Sequence, residues 1–204
     1  MNLYKRFQAW FLDKFNMRYE RIVGERKRAL LAGLSGYVVE IGPGTGVNLK
    51  YYDKDVTWIG IEPNEYAHPY IEKEAERVGL NTYRVLPLTA EGLPLANGSI
   101  DAVVGTLVLC TVPSQRVALS EIYRVLKPGG KFIFMEHVAA PRGTFTRRFQ
   151  RLIRPAWKLI ADGCHPDRET YTAIADAGFG DVQGDCFYVH KTFVSPHVAG
   201  VARK

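Results

Sequence analysis

Cysteine is scarce in this sequence, with three residues, Cys110, Cys164 and Cys186, in a chain of 204. None belongs to a CxxC pair, so neither a zinc-site spacing nor a disulfide framework is on offer and no metal is expected; a reducing, cytoplasmic compartment suits this usage. Long apolar runs are missing too. No stretch approaches the about 18–20 consecutive apolar residues that a membrane span requires, and the opening segment MNLYKRFQAWFLDKF interrupts its apolar positions with charge. Neither a transmembrane anchor nor a secretory signal is expected. Internal repeats, low-complexity tracts and linker-like shifts of composition are likewise lacking. One domain over residues 1–204 follows, with a helical lid at 1–35 and a core at 36–204.

Core-forming material is plentiful, at 47% hydrophobic and 12% aromatic residues, which is enough for one domain of this length. The formal net charge of +6 is unevenly placed: residues 1–36 hold eight Lys/Arg against three acids, and residues 140–160 hold six basic residues and no acid. Solvated helix faces account for such segments, with peripheral contact to an anionic membrane as the alternative. No interleaved basic and aromatic pattern points to nucleic acid. Oligomeric state is not legible.

The order of elements is informative. Phe7, Trp10, Phe11 and Phe15 recur at helical spacing, and a second helical pattern runs through Tyr19–Leu31 until Gly33 and Gly36, so two N-terminal helices are expected. Short apolar, β-branched runs follow at Tyr37–Ile41, Thr57–Ile61, Thr82–Leu86, Ile100–Thr106 and Lys131–Glu136. Helical stretches such as Tyr66–Val78 and Ser114–Val125 separate most of them, which is the rhythm of a parallel, doubly wound α/β sheet. After helical patterns at Thr144–Ile160 and Arg168–Ala177, the runs Val182–Val189 and Thr192–Ala202 stand too close for a crossover and must pair antiparallel. The expected fold is a Rossmann-like, mostly parallel seven-stranded sheet closed by a C-terminal antiparallel hairpin.

The first strand runs into Glu40-Ile41-Gly42-Pro43-Gly44-Thr45-Gly46. Glycine lets this turn bend sharply and approach a ligand closely. The spacing is GxGxG, and Val47 is too bulky for the third glycine position of a dinucleotide loop. Glu40, read as lying at the mouth of the loop, would repel a pyrophosphate and attract a phosphate-free ligand with an ammonium and a sulfonium. S-adenosylmethionine is such a ligand, and NAD and ATP are not. Glu62, ending the second strand before Pro63 and Asn64, is placed to accept hydrogen bonds from two ribose hydroxyls. Ala90 and Glu91, after the third strand, are candidates for adenine contact.

VVEIGPGTG, GIEPN, TAEGLPL, GSIDAVVGTLVLCTV and EIYRVLKPGGKFIFMEH together resemble the class I S-adenosylmethionine-dependent methyltransferases over about residues 36–140. Thr106-Leu107-Val108-Leu109-Cys110, the segment from Phe134 to Ala140, Pro155-Ala156-Trp157, Asp162-Gly163-Cys164 and Arg168-Glu169 look like the methyltransferase-like seven group, thiol S-methyltransferases of animal membranes. Those proteins carry an apolar N-terminal segment that this chain lacks. The quinone-pathway C-methyltransferases and bacterial phospholipid N-methyltransferases share the core motifs.

The resemblance implies methyl transfer from S-adenosylmethionine, giving S-adenosylhomocysteine, to a small and apolar acceptor, a thiol being the first choice. A nicotinamide-dependent oxidoreductase is the rival from another class. The implied cofactor residues are Tyr19, Glu40, Gly42, Pro43, Gly44, Gly46, Asn48, Glu62, Pro63, Asn64, Ala90, Glu91, Thr106 and Leu107. His137, at the end of the fifth strand, is the expected base, and Asp162 is the second catalytic candidate, in an acceptor wall with Cys164 and His165. Tyr19, with Phe15 and Trp10, is the expected lid. Phe145, Phe149, Leu152, Ile153, Trp157 and Ile160 share one face of a basic helix expected to cover an apolar acceptor pocket, with Pro155 expected to bend it.

Overall fold

A computed structural model describes residues 3–189 and 195–204; at 11–18 the helical backbone is described and the side chains, those of Phe11 and Phe15 included, are not. The N-terminal segment forms one helix, α1 (Leu3–Leu31), rather than the two expected. No proline or glycine stands between the two apolar patterns to divide them, and the chain turns out of the helix only at Gly33, with φ +77°. Among the described residues no helix is long and apolar enough to cross a membrane.

The sheet orders its strands β3-β2-β1-β4-β5-β7-β6. Strands β1 (Tyr37–Ile41), β2 (Thr57–Ile61), β3 (Thr82–Leu86) and β4 (Ile100–Thr106) have the bounds expected from their apolar runs. Strand β5 (Leu126–His137) starts earlier than Lys131, because Leu126 already pairs with Ile100 before an irregularity shifts the register to Ala102 and Lys131. These five are parallel. The hairpin is β6 (Asp181–Tyr188) and β7 (Pro196–Arg203), with β7 antiparallel to both β5 and β6.

Side-chain alternation along the strands makes two cores. Val39, Ile41, Val103, Phe132 and Phe134 face helix α3 (Gln115–Val125) through Ala118, Leu119 and Ile122, and Ile174 of α5 (Thr170–Ala175) joins them. Val38, Trp58, Val104 and Ile133 face the other way, against Leu31 of α1 and Ile71 and Ala75 of α2 (His68–Val78). The remaining helix, α4 (Phe145–Ile160), continues through Pro155. Ser114 and Thr144 cap α3 and α4, accepting from the backbone N–H of Val117 and Arg147, as expected of hydroxyl residues at helix starts.

One buried ionic group ties α1 to the short helical turn at Leu49–Tyr51. Glu20 pairs with Lys27 of its own helix, with Lys50 at 3.0 Å, and accepts from the Tyr51 hydroxyl at 2.9 Å. Burial pushes the Glu20 carboxyl up, but Lys27 and Lys50 outweigh it and hold the group below the usual carboxylate range. A lowered folded-state value stabilises the fold above the ordinary carboxylate range and ceases to do so as pH falls through the lowered value. Glu20→Gln, which leaves Lys27 buried without its counter-ion, is expected to cost about 2–4 kcal/mol at neutral pH. Denaturant unfolding should show that difference closing in acid.

Candidate active site

The carboxyl ends of β1, β2 and β4 converge on one edge of the sheet. There the loop after β1 turns back on itself, Gly42 N–H donating to Ile61 O at 2.9 Å. Gly42 has φ +62°, and a Cβ on it would stand 2.6 Å from Val108 Cγ2, so only glycine fits. Gly44 has φ +59° and open space where its Cβ would be. Glu62 joins this loop to β2: its carboxylate accepts from Gly44 N–H at 3.0 Å and Asn64 N–H at 2.9 Å. Burial raises its pKa above the ordinary carboxylate value. Asn64 accepts from Tyr66 N–H and donates to Lys5 O at 3.0 Å, bringing the first turn of α1 over the strand ends.

Two buried acceptors here have no partner among the described residues, Asn48 Oδ1 and Glu91 Oε2. Asn48 spends its N–H groups on Glu40 at 2.7 Å and Thr106 Oγ1 at 2.8 Å, and Glu91 uses Oε1 for Ser114 N–H at 3.2 Å. Ala90 is buried and Pro63 exposed. Residues 42–48 contain no basic side chain. Open space at Gly44, a buried carboxylate at Glu62 and spare acceptors at Asn48 and Glu91 fit a ligand rich in N–H and O–H donors and free of phosphate, as S-adenosylmethionine is.

Glu40 is placed differently from its expected position at the loop mouth. It shares its face with Val38 and therefore points under the α2 layer, where its carboxylate is 0% exposed. Three side chains donate to it, Asn48 at 2.7 Å, the Tyr52 hydroxyl at 2.8 Å and Trp58 Nε1 at 3.2 Å. Burial drives its pKa up despite these bonds. Glu40 thus acts on the loop through Asn48, from below.

The loop after β4 begins with Leu107 at φ +57°, in the left-handed region, where a non-glycine residue is strained. Glu136 of β5 holds it: the buried carboxylate accepts from the N–H groups of Val108 at 3.0 Å, Leu109 at 2.9 Å and Cys110 at 3.3 Å. Sequence reading missed this residue. The available signal was an acid inside an otherwise apolar strand end, Phe132-Ile133-Phe134-Met135-Glu136.

His137, the expected base, faces a thiol. Its ring is buried, Nε2 lies 2.8 Å from Cys164 Sγ, and Nδ1 has no partner among the described residues. Cys110, also missed, completes a cluster with His137 and Cys164. Its thiol, with help from His137 and from Trp157 Nε1–H at 3.1 Å, holds the Cys164 thiol below its ordinary value against the effect of burial. His165 joins by its backbone, donating to Cys110 O at 2.9 Å.

Asp162 has φ +48° and is exposed, in the turn that leads into Cys164, and its charge reaches Glu62. The Tyr19 hydroxyl is buried and unpartnered among the described residues. Burial and then Glu136 raise its pKa, and its ring lies against His197 at 5.7 Å between centroids. Tyr19 therefore lies over the end of β5, beside Glu136 and His197, while Trp10 is exposed.

Helix α4 also departs from expectation. Its buried side chains are Arg147 and Gln150; Gln150 accepts from Ala140 N–H at 2.8 Å and Arg147 pairs with Glu169 at 3.0 Å. These polar anchors turn much of the apolar face outward, leaving Phe145, Leu152, Leu159 and Ile160 73–81% exposed. A groove of about 460 Å³ runs between the start of α4 and the hairpin, lined by Ala140, Phe145, Phe149, Tyr188 and Pro196 among others.

Residues 39–134 match the family described as a methyltransferase domain. The chain is 35% identical to the thiol S-methyltransferase TMT1A of Homo sapiens, over 98% of this chain and 87% of that protein. It is 40% identical to the thiol S-methyltransferase TMT1B of Rattus norvegicus, again over 98% and 87%. Among solved structures, geranyl diphosphate C-methyltransferase from Streptomyces coelicolor, crystallised with S-adenosyl-L-homocysteine, superposes with a TM-score of 0.72 at 16% identity, over 90% of this chain and 76% of that one. That likeness concerns the fold.

Proposed function

Because the chain belongs to the methyltransferase family that contains the TMT1 proteins, we propose that it methylates the sulfur of a small thiol. The observation that carries the acceptor class is the likeness to thiol S-methyltransferases over nearly the whole chain, hairpin and α4 included.

When bound, S-adenosylmethionine supplies an electrophilic methyl group on a sulfonium that leaves as a neutral thioether. The chain's own task is alignment, since an in-line displacement with a good leaving group needs position above all. Glu62 would accept from the ribose hydroxyls, Asn48 Oδ1 and the loop at Gly42–Gly46 would hold the amino acid end, and Ala90 and Glu91 would take the adenine. Thr106 and Leu107 would border the methyl group. The acceptor approaches from the side of Cys110, His137 and Cys164. Asp162, in solvent reach, is the open proton acceptor, and His137 is a positioning residue acting through Cys164.

Incubation with labelled methyl donor and a panel of alkyl and aryl thiols, a quinol and phosphatidylethanolamine tests the reading. Thioether formation is the expected result. Methylation of the quinol carbon or the lipid amine, with thiols untouched, would overturn it.

The exposed apolar residues of α4 alternate with exposed Arg148, Arg151, Arg154 and Lys158. Such a face suits the surface of an anionic membrane, and we place the protein in the cytoplasm with α4 against that surface. Sedimentation with phosphatidylserine vesicles should carry the protein down. Leu152→Glu combined with Ile160→Glu should release it, whereas equal sedimentation of wild type and variant would remove α4 from the contact.

A further inference from the structure

Displacement at the donor methyl group does not by itself require the two buried sulfurs of the cluster. Cys110 comes from the loop after β4, His137 from the last position of β5, and Cys164 from the turn after α4. All three are buried, and their ligating atoms lie within 4.8 Å of one another. The remaining cysteine, Cys186, is exposed on β6. In this chain the buried thiols are therefore gathered at one point, beside a histidine whose Nε2 faces them.

Three ligands of this kind match a specific chemistry. Zinc bound by two thiolates and one imidazole, with Zn–S about 2.3 Å and Zn–N about 2.0 Å, holds its ligand atoms roughly 3.5 Å apart. The cluster is of that size, and the His137–Cys164 pair at 2.8 Å has only to open slightly. A soft set with two sulfurs disfavours magnesium and calcium. Three protein ligands with a fourth position left open is the arrangement of catalytic rather than structural zinc.

The surroundings bring donors and positive charge to the sulfurs, against which Cys164, burial and Glu136 hold the Cys110 thiol up. Trp157 Nε1–H donates to Cys164 Sγ at 3.1 Å. The Arg168 guanidinium, whose charge is felt by both cysteines, is fixed by the carbonyls of Leu109 and Val112, each at 2.7 Å. The Tyr19 hydroxyl, buried and unpartnered among the described residues, lies close enough to Cys110 to sense its charge.

We infer that Cys110, His137 and Cys164 bind Zn²⁺ and leave its fourth position to the sulfur of the acceptor. The second half of this statement rests on the thiol reading above. On binding, the S–H bond of the acceptor breaks, its proton leaves to bulk water, and the sulfur keeps the electron pair. That pair then forms the new S–CH₃ bond as the donor's sulfonium–methyl bond breaks, its electrons returning to the donor sulfur.

The test is metal content and spectroscopy on the full chain. Wild-type protein passed through gel filtration with Zn²⁺ should retain one zinc per chain. Cys110→Ser and Cys164→Ser should each lower retention at least tenfold, with circular dichroism confirming that they remain folded. Co²⁺ in place of zinc should give a thiolate-to-cobalt charge-transfer band in the near ultraviolet, and 2-mercaptoethanol should shift it. Wild-type protein that retains no zinc, or retention in either serine variant equal to that of wild type, overturns the site. A band that 2-mercaptoethanol leaves unmoved, or full thiol methylation by protein stripped of zinc, overturns the fourth-position assignment while the thiol reading stands. Intact zinc retention with no thiol methylated upholds the metal site and overturns the thiol reading instead.

Discussion

Glu62→Ala is expected to weaken S-adenosylhomocysteine binding by roughly 100-fold or more while the chain remains folded. The carboxylate is buried at the end of β2, and burial has already raised its pKa, so each hydrogen bond it accepts in this place is made in a setting poorly screened by water. Two ribose hydroxyls donating to an ionised group account for about 3 kcal/mol, which converts to that fold-change. The same residue organises its own surroundings, since Gly44 and Asn64 both donate to it. Loss of the carboxylate frees two N–H groups, that of Asn64 buried, and should cost about 1–3 kcal/mol of stability without unfolding the chain. Glu62→Gln keeps an acceptor oxygen without the charge and should fall between the two. Calorimetric titration alongside a thermal melt checks both halves, and unchanged affinity in the alanine variant would remove Glu62 from the ribose.

Glu136→Ala should have the largest effect on stability. Three consecutive N–H groups, those of Val108, Leu109 and Cys110, end on this one carboxylate. An unsatisfied buried donor costs about 1–3 kcal/mol, so losing all three removes much of the roughly 5–15 kcal/mol that holds a typical domain. The loop also carries Leu107 at φ +57°, a conformation that persists only where its surroundings enforce it. Glu136→Gln retains one acceptor but turns an NH₂ toward a donor, and should lose about 2 kcal/mol together with turnover. Denaturant midpoints for the two variants give the order, and a stability equal to wild type in Glu136→Ala would show that the loop holds itself.

The parallel half of the fold was legible because its strands are covered on both faces. Such strands are continuous apolar runs with sharp polar ends, and β1 through β4 have the bounds those runs have. The N-terminal helix was divided in two because a change in the apolar pattern was taken for a break, although nothing between Phe15 and Tyr19 can end a helix. The site was legible where local order along the chain decides it, as at Gly42–Gly46, Glu62 and Asn64. It was not legible where strand parity decides. Glu40 stands two residues from a ligand loop, yet its even register with Val38 sends the carboxylate beneath the sheet to Trp58 and Tyr52. Nor could it be read where distant segments meet: His137 and Cys164 are 27 positions apart, and no spacing rule connects a β4 loop with the turn after α4.

The position of β7 bears on how the protein is made. It is later in sequence than every other strand, yet it lies between β5 and β6 and pairs along the carboxyl-terminal part of β5, from Lys131 with Arg203 to His137 with His197. During synthesis β5 must therefore leave the ribosome with one long side uncovered, rich in phenylalanine and open to pairing with any other extended chain. Every helix is translated before that side is covered. A nascent chain lacking β7 has the donor loop and all its acids but an unfinished acceptor end, so truncated products should burden chaperones rather than turn over slowly.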